Sequence, residues 1–142
     1  MLETATRLFY AEGVHAVGID RIIAEAGVAK ATPREMLLAI FDNVGELGHD
    51  PAYRGCPFVN AAAEYPDPSH PVRQAISEHR RWFRTLLRNL LAEGGHPDPE
   101  RTADLLVALK DGLLIAADLD DPARKGVIRD AVTRLLDGRA PT

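Results

Sequence analysis

The chain has 142 residues, 46% hydrophobic and 27% charged, with a formal net charge of −4. That length suits one domain, or a small domain leaning on a larger one, and the composition excludes wholesale disorder. No long uncharged apolar run is present, so no membrane span is expected. The start Met1-Leu2-Glu3-Thr4 lacks the basic and apolar stretches of a secretion signal, and the single Cys56 excludes an intrachain disulfide and suits a reducing cytoplasm.

From Leu2 to Glu12, Leu2, Ala5, Leu8 and Phe9 recur at helical spacing, and Gly13 ends the segment. After the connection Val14 to Gly18, Ile19, Ile22, Ile23 and Ala26 form the apolar face of a second short helix. Gly27 stops it and can take the left-handed conformation of a sharp turn. Thr32-Pro33-Arg34-Glu35 then predicts a new helix start. Threonine caps, proline fits the first helical position, and Glu35 can return a bond to the cap amide. This helix places Met36, Leu37, Ile40, Phe41, Val44 and Leu47 inward and ends at Gly48.

A loop containing Pro51, Gly55, Cys56 and Pro57 leads into a short alanine-rich helix over 58–65, closed by Pro66-Asp67-Pro68. The spacing predicts a longer helix from Pro71 to Glu93, burying Val72, Ile76, His79, Phe83, Leu86, Leu87 and Leu90, with Gly94-Gly95 as its stop. Pro99 to Leu119 is the most apolar segment. It carries Leu105, Leu106, Leu109, Leu113 and Ala116 on one side, with Val107, Leu114 and Ile115 nearby. Such breadth implies burial on more than one face, as where a helix meets a partner subunit, and Gly112 and Ala116 would let another helix approach closely. The last helix, over 122–136, uses Val127, Ile128, Ala131, Val132, Leu135 and Leu136. No segment alternates as a strand does, so the expected fold is all-α.

Two stretches carry a resemblance. Leu2-Glu3-Thr4-Ala5-Thr6-Arg7-Leu8-Phe9-Tyr10-Ala11-Glu12-Gly13, with Ile22-Ile23-Ala24-Glu25-Ala26-Gly27-Val28-Ala29-Lys30-Ala31-Thr32, resembles the first two helices and turn of the tetracycline-repressor-like (TetR-type) transcriptional regulators. Gly55-Cys56-Pro57-Phe58-Val59-Asn60-Ala61-Ala62-Ala63-Glu64 is similar to a segment of one subgroup's regulatory domain, and the later helices fit that domain to the end. The resemblance implies a truncated helix-turn-helix head, residues 1–32, followed by a helical ligand-binding and dimerisation domain, residues 33–142. It implies a cytoplasmic homodimer acting as a transcriptional regulator, usually a repressor. Such a protein binds a palindromic operator, is released by a small apolar effector, and needs no cofactor. By family position, Lys30 and Thr32 would contact the DNA backbone. Phe41, Phe58, Asn60, His79, Trp82 and Phe83 become candidates for the effector pocket. Leu106, Leu109, Gly112, Leu113, Ala116, Ile128, Val132 and Leu135 become candidates for the dimer interface.

One departure is large. After Lys30-Ala31-Thr32 the family continues with an aromatic and basic recognition helix and a long joining helix. Here Pro33-Arg34-Glu35-Met36-Leu37-Leu38 follows directly, as an internal deletion between Thr32 and Pro33 would leave it. The charge agrees. Residues 1–50 hold Arg7, Arg21, Lys30 and Arg34 against Glu3, Glu12, Asp20, Glu25, Glu35, Asp42, Glu46 and Asp50, whereas phosphate contact needs cations. Two functions follow: a DNA-binding regulator, or a dimerising and ligand-binding remnant that no longer binds DNA. In the second, Thr32 merely caps the next helix and Lys30 is a solvated turn residue.

The remaining signals are bland. Arg73, Arg80, Arg84 and Arg88, with Arg81 at the edge, form a basic stripe without interleaved exposed aromatics, so pairing with nearby acids is expected. Cys56 has no closer cation than Arg54 and reads as structural. His15, His49, His70, His79 and His96 show no metal-ligand spacing. Ser69 and Ser77 are the only serines, and no nucleophile, base and acid constellation points to an enzyme.

Overall fold

The computed structural model of the chain describes residues 31–47, 52–120 and 125–138. The two short helices expected before Gly27, and Lys30 after it, lie outside these. The start signal at Thr32 works as its residues dictate. The Thr32 hydroxyl accepts the Glu35 amide at 3.1 Å, and Pro33 opens α1 (Pro33–Leu47). Proline also opens α2 (Pro57–Glu64), α3 (Pro71–Glu93) and α4 (Pro99–Leu119), where its missing amide costs no helical bond. The last described helix is α5 (Lys125–Leu136). Among the described residues there is no strand, and the expected all-α class holds.

Caps and turns fix where each helix ends. His70 Nδ1 accepts the Val72 amide at 3.2 Å at the start of α3, and Asp98 Oδ1 accepts the Arg101 amide at 3.2 Å at the start of α4. Between them Gly95, at φ +75°, closes α3 in a Schellman-type turn. Its amide donates to Ala92 O at 3.1 Å and that of His96 to Leu91 O at 2.9 Å. The His96 ring then ties this turn to the far end of α5. Its Nδ1 accepts the Asp98 amide at 3.1 Å, which leaves Nε2 to donate to Leu135 O, also at 3.1 Å.

Four helices share one core. Leu37, Ile40 and Phe41 of α1, only 2%, 3% and 1% exposed, pack with Phe83, Leu87, Leu90 and Leu91 of α3, Ala103 and Leu106 of α4, and Val132 of α5. α1 runs antiparallel to α5, since Arg34 pairs with Asp137 at 2.8 Å near one end and Asp42 with Arg129 at 2.6 Å near the other. α2 sits apart on a smaller cluster in which Ala61 and Ile76 are buried beside Phe58, Ala62 and Val72.

The faces of α4 correct the sequence expectation. Its buried residues are Thr102, Ala103, Leu106, Lys110 and Leu114, one stripe at helical spacing that faces the core. Leu105, expected on one side with Leu106, and Ile115, expected near that side, fall opposite the stripe and are exposed. Leu106 and Val132, named as interface candidates, are 0% exposed within the chain's own core and have no surface to offer a second subunit. Leucine and isoleucine occur on every side of α4, so hydrophobic spacing alone does not separate its two faces.

α1 is thus a core helix rather than an appendage. Phe41→Ala should cost about 3–5 kcal/mol of stability. Urea unfolding followed by circular dichroism measures this, and a loss under about 1 kcal/mol would contradict the buried placement of α1.

Candidate functional site

The first candidate surface is built where the loop before α2 meets α3 and the C-terminal half of α4. Tyr53 reaches across to donate its hydroxyl to Leu114 O at 2.8 Å. Burial, with smaller contributions from Cys56 and Asp118, pushes its phenol up to about 12. Asn60 Nδ2 donates to Arg54 O at 2.9 Å and so holds the loop against α2. Between them Gly55 sits at φ +83°, and a Cβ there would lie 3.3 Å from Asp118 Oδ2. Cys56 is buried, which suits the structural role expected for it.

Four of the six effector-pocket candidates belong to this part of the chain. Phe58 stacks on His79 with ring centroids 4.3 Å apart and planes only 6° from parallel. His79 meets Trp82 at 5.8 Å and 32°. Asn60 anchors the loop beside them. The other two lie elsewhere: Phe41 and Phe83 are buried in the main core, Phe41 on the α1 side. Phe83, however, carries a charged group on its ring. Lys110 Nζ lies 4.8 Å from its ring centroid, within cation–π range. Lysines are usually solvated, so nothing in the sequence marked this one as buried.

Lys110 belongs to a cluster with Arg80 and Asp111. Arg80 binds Asp111 through both guanidinium nitrogens, at 3.1 and 2.6 Å, and Lys110 Nζ lies 3.3 Å from Asp111 Oδ1. Burial works to raise the Asp111 carboxyl, but the Arg80 hydrogen bonds and the charges of Lys110 and Arg80 win and hold it below the usual range.

Two further arginines of the stripe pair with acids, as expected, and the others bond carbonyls, Arg81 that of Ser77. Arg84 bonds Asp104 at 2.5 and 3.3 Å and Glu100 at 3.1 Å, and Arg88 bonds Glu100 at 2.7 Å. Arg73 donates to the carbonyls of Ala62 and Tyr65 at 3.2 Å. Arg84 and Arg88 tie α3 to α4, and Arg73 ties α3 to the end of α2. Thr32, one of the two DNA-contact candidates, spends its hydroxyl on the α1 cap, and Arg34 is paired with Asp137.

The second candidate surface is the outer side of α4. Leu105, Ala108, Gly112, Ile115 and Leu119 lie along it at alternating steps of three and four, all exposed, with Leu119 at 74%. Val127 of α5 is exposed as well. Of the remaining interface candidates, Leu109, Leu113, Ala116, Ile128 and Leu135 are half-buried, and a Cβ on Gly112 would meet nothing within 4 Å. Among the described residues no group of His, Cys, Asp and Glu could hold a metal, and no helix is long and apolar enough to cross a membrane.

Comparison with known proteins places these surfaces in context. Residues 33–132 match the family model described as "Tetracyclin repressor-like, C-terminal domain", and residues 1–32 match "Bacterial regulatory proteins, tetR family". The two matches meet between Thr32 and Pro33. The chain is similar to the HTH-type transcriptional regulators YjdC of Escherichia coli (strain K12) and of Shigella flexneri, at 29% identity over 83 residues. That match covers 58% of this chain and 44% of each relative, less than half of their length. In structure it is similar to SCO4454, a TetR-family transcriptional regulator from Streptomyces coelicolor, with a TM-score of 0.74 and 34% identity over 96% of this chain and 92% of that one. A putative TetR transcriptional regulator, sav143 from Streptomyces avermitilis, shares the fold at a TM-score of 0.73 and 24% identity, over 96% and 94% of the two chains.

The ion pairs between α3 and α4 make stability depend on pH in a definite direction. Arg88 and Arg84 hold Glu100, and Arg84 holds Asp104, below the usual carboxylate range, as Asp111 is also held. Lowered folded-state values mean their contribution is complete above the unfolded value, about pH 4, and is lost as pH falls through the lowered ones. Melting temperature should therefore fall on acidification below about pH 4. The Glu100→Gln, Asp104→Asn double variant should show a shallower fall, and an unchanged acid limb would contradict the pairing.

Proposed function

The chain belongs to the tetracycline-repressor-like family of bacterial transcriptional regulators, and we propose that it works as a homodimer built by residues 33–142. In this reading residues 1–32 are what remains of a helix-turn-helix head, and the helical part pairs two copies and binds a small effector with an apolar body. The protein acts in the cytoplasm, by binding rather than catalysis. The observation that carries the proposal is the exposed apolar stripe of α4, too continuous to be left in water without reason.

The stripe is self-complementary. A two-fold axis passing Gly112 brings Leu105 of one copy to Leu119 of the other, since each lies seven residues from the glycine. Leu109 likewise meets Ile115, and Ala108 meets Ala116. Small residues at the centre permit close approach of the two helices, while large ones fill the ends. Val127 of α5 widens the same face. The effector contacts the row Phe58, His79 and Trp82, with the loop held by Tyr53 and Asn60 as its rim.

A second reading concerns DNA, and one observation favours it. The helix that follows Lys30-Ala31-Thr32 is α1, whose Leu37, Ile40 and Phe41 are sunk in the regulatory core. A helix so placed cannot enter a major groove, so operator contact would rest on residues 1–32 alone. Those residues hold Arg7, Arg21 and Lys30 against Glu3, Glu12, Asp20 and Glu25, a poor balance for neutralising phosphates. We infer that the segment carrying the recognition and joining helices is missing between Thr32 and Pro33, and that the chain pairs and senses without reading DNA.

Two measurements test these readings. Gel shifts on a palindrome upstream of the chain's own gene, at rising salt, should show no sequence-selective retardation; tight and selective retardation would reject the loss of DNA reading. For the dimer, Gly112→Cys in a Cys56→Ser background should oxidise to a covalent dimer, because the residue sits on the axis. Leu105→Cys alone should not, whereas Leu105→Cys with Leu119→Cys should. A monomer in sedimentation at micromolar concentration would sink the interface.

A further inference from the structure

Lys110 is poorly matched to its surroundings. It lies on the inward stripe of α4 between Leu106 and Leu114 and is 9% exposed. Its ammonium carries three donors, and among the described residues one oxygen receives it, Asp111 Oδ1 at 3.3 Å. That oxygen is already bound by Arg80 at 3.1 Å, and the second Asp111 oxygen by the same guanidinium at 2.6 Å. Two cations therefore share one carboxylate. Further along the α3–α4 seam the count balances, with Arg84 and Arg88 facing Glu100 and Asp104.

An uncompensated charge in a largely dry position is unfavourable, and the Arg80–Asp111 pair alone would satisfy both of its members. Beside its contacts with Asp111 and the Phe83 ring, Lys110 adds repulsion toward Arg80. A methionine would fill nearly the same volume and pack on Phe83 without that cost. The excess charge also has a particular neighbourhood. Arg80 follows His79 on α3, and Phe83, under the ammonium, lies one turn beyond it. His79, which stacks on Phe58 and meets Trp82, is thus next in sequence to Arg80 and one turn before the ring that carries the ammonium.

We propose that the effector is an amphipathic carboxylate, whose flat apolar body lies against Phe58 and His79 and whose anionic head completes the Lys110–Arg80–Asp111 cluster. The inference rests on the effector-binding reading above and adds the charge of the ligand to it. Lys110 supplies the unfilled donors, and Arg80, fixed by Asp111, supplies orientation. A neutral ligand of the same shape would leave the surplus charge in place.

The full chain can be tested with 2-naphthoate and its neutral counterpart 2-naphthamide by calorimetry and thermal shift. The carboxylate should bind at least tenfold tighter than the amide. Lys110→Met should bind both with the amide's affinity, and should melt no lower than the original chain when unliganded. Equal binding of the two probes by the original chain overturns the charge assignment, as does a Lys110→Met chain that keeps the preference or melts several degrees lower. If the amide binds and Phe58→Ala weakens it, the effector reading stands even where the charge assignment has failed. Binding of neither probe at millimolar concentration overturns both.

Discussion

The burial of one face of α1 among α3, α4 and α5 is the constraint on which the described structure depends. Leu37, Ile40 and Phe41 supply its apolar surface, and the salt bridges Arg34–Asp137 and Asp42–Arg129 align α1 along α5. Surface ion pairs of this kind add little energy, so burial holds the helix and the charges set its direction. With α1 in place, α3 and α4 can close over Phe83, Leu87 and Leu106 as a hairpin. The buried face of α1 is thus committed to the core, and its outer face is polar, with Arg34, Glu35, Asp42, Asn43 and Glu46 exposed.

α4 mediates between inside and outside. One stripe, Ala103, Leu106, Lys110 and Leu114, belongs to the core and to the polar cluster beside it. The opposite stripe, from Leu105 through Gly112 to Leu119, is apolar and open. In the proposed reading both surfaces sit on one helix, so a ligand at the Lys110 cluster would act on the same rod that carries the pairing stripe.

Much of the fold was legible in the residues themselves. Proline at the first position of four helices, Thr32 and Asp98 as caps, and Gly94-Gly95 as a stop are local signals that need no tertiary information. The pairing of the arginine stripe was legible too, since acids of α4 return at matching spacing. The faces of α4 were not, because leucine and isoleucine occur all around it and only packing chooses among them. The candidate site was half legible. Phe58 and His79 stand far apart in sequence and meet only because α2 folds back on α3, whereas Phe41 and Phe83, equally aromatic, are consumed by the core. Lys110 was invisible for the opposite reason, since its charge reads as solvent-facing until α3 is laid over it.

The contact between α1 and α5 also has a kinetic side. Asp42 and Arg129 are 87 residues apart, so the core that contains Phe41 cannot close until nearly the whole described chain is available. The α3–α4 hairpin, by contrast, is local and can form early around its Schellman turn. During synthesis α1 leaves the ribosome long before α5, and its apolar face must wait exposed or in provisional contact with the hairpin. Docking of the last helix is the contact that waits longest on chain length. A chain interrupted before Val132 would lose the seat of its first described helix along with its last.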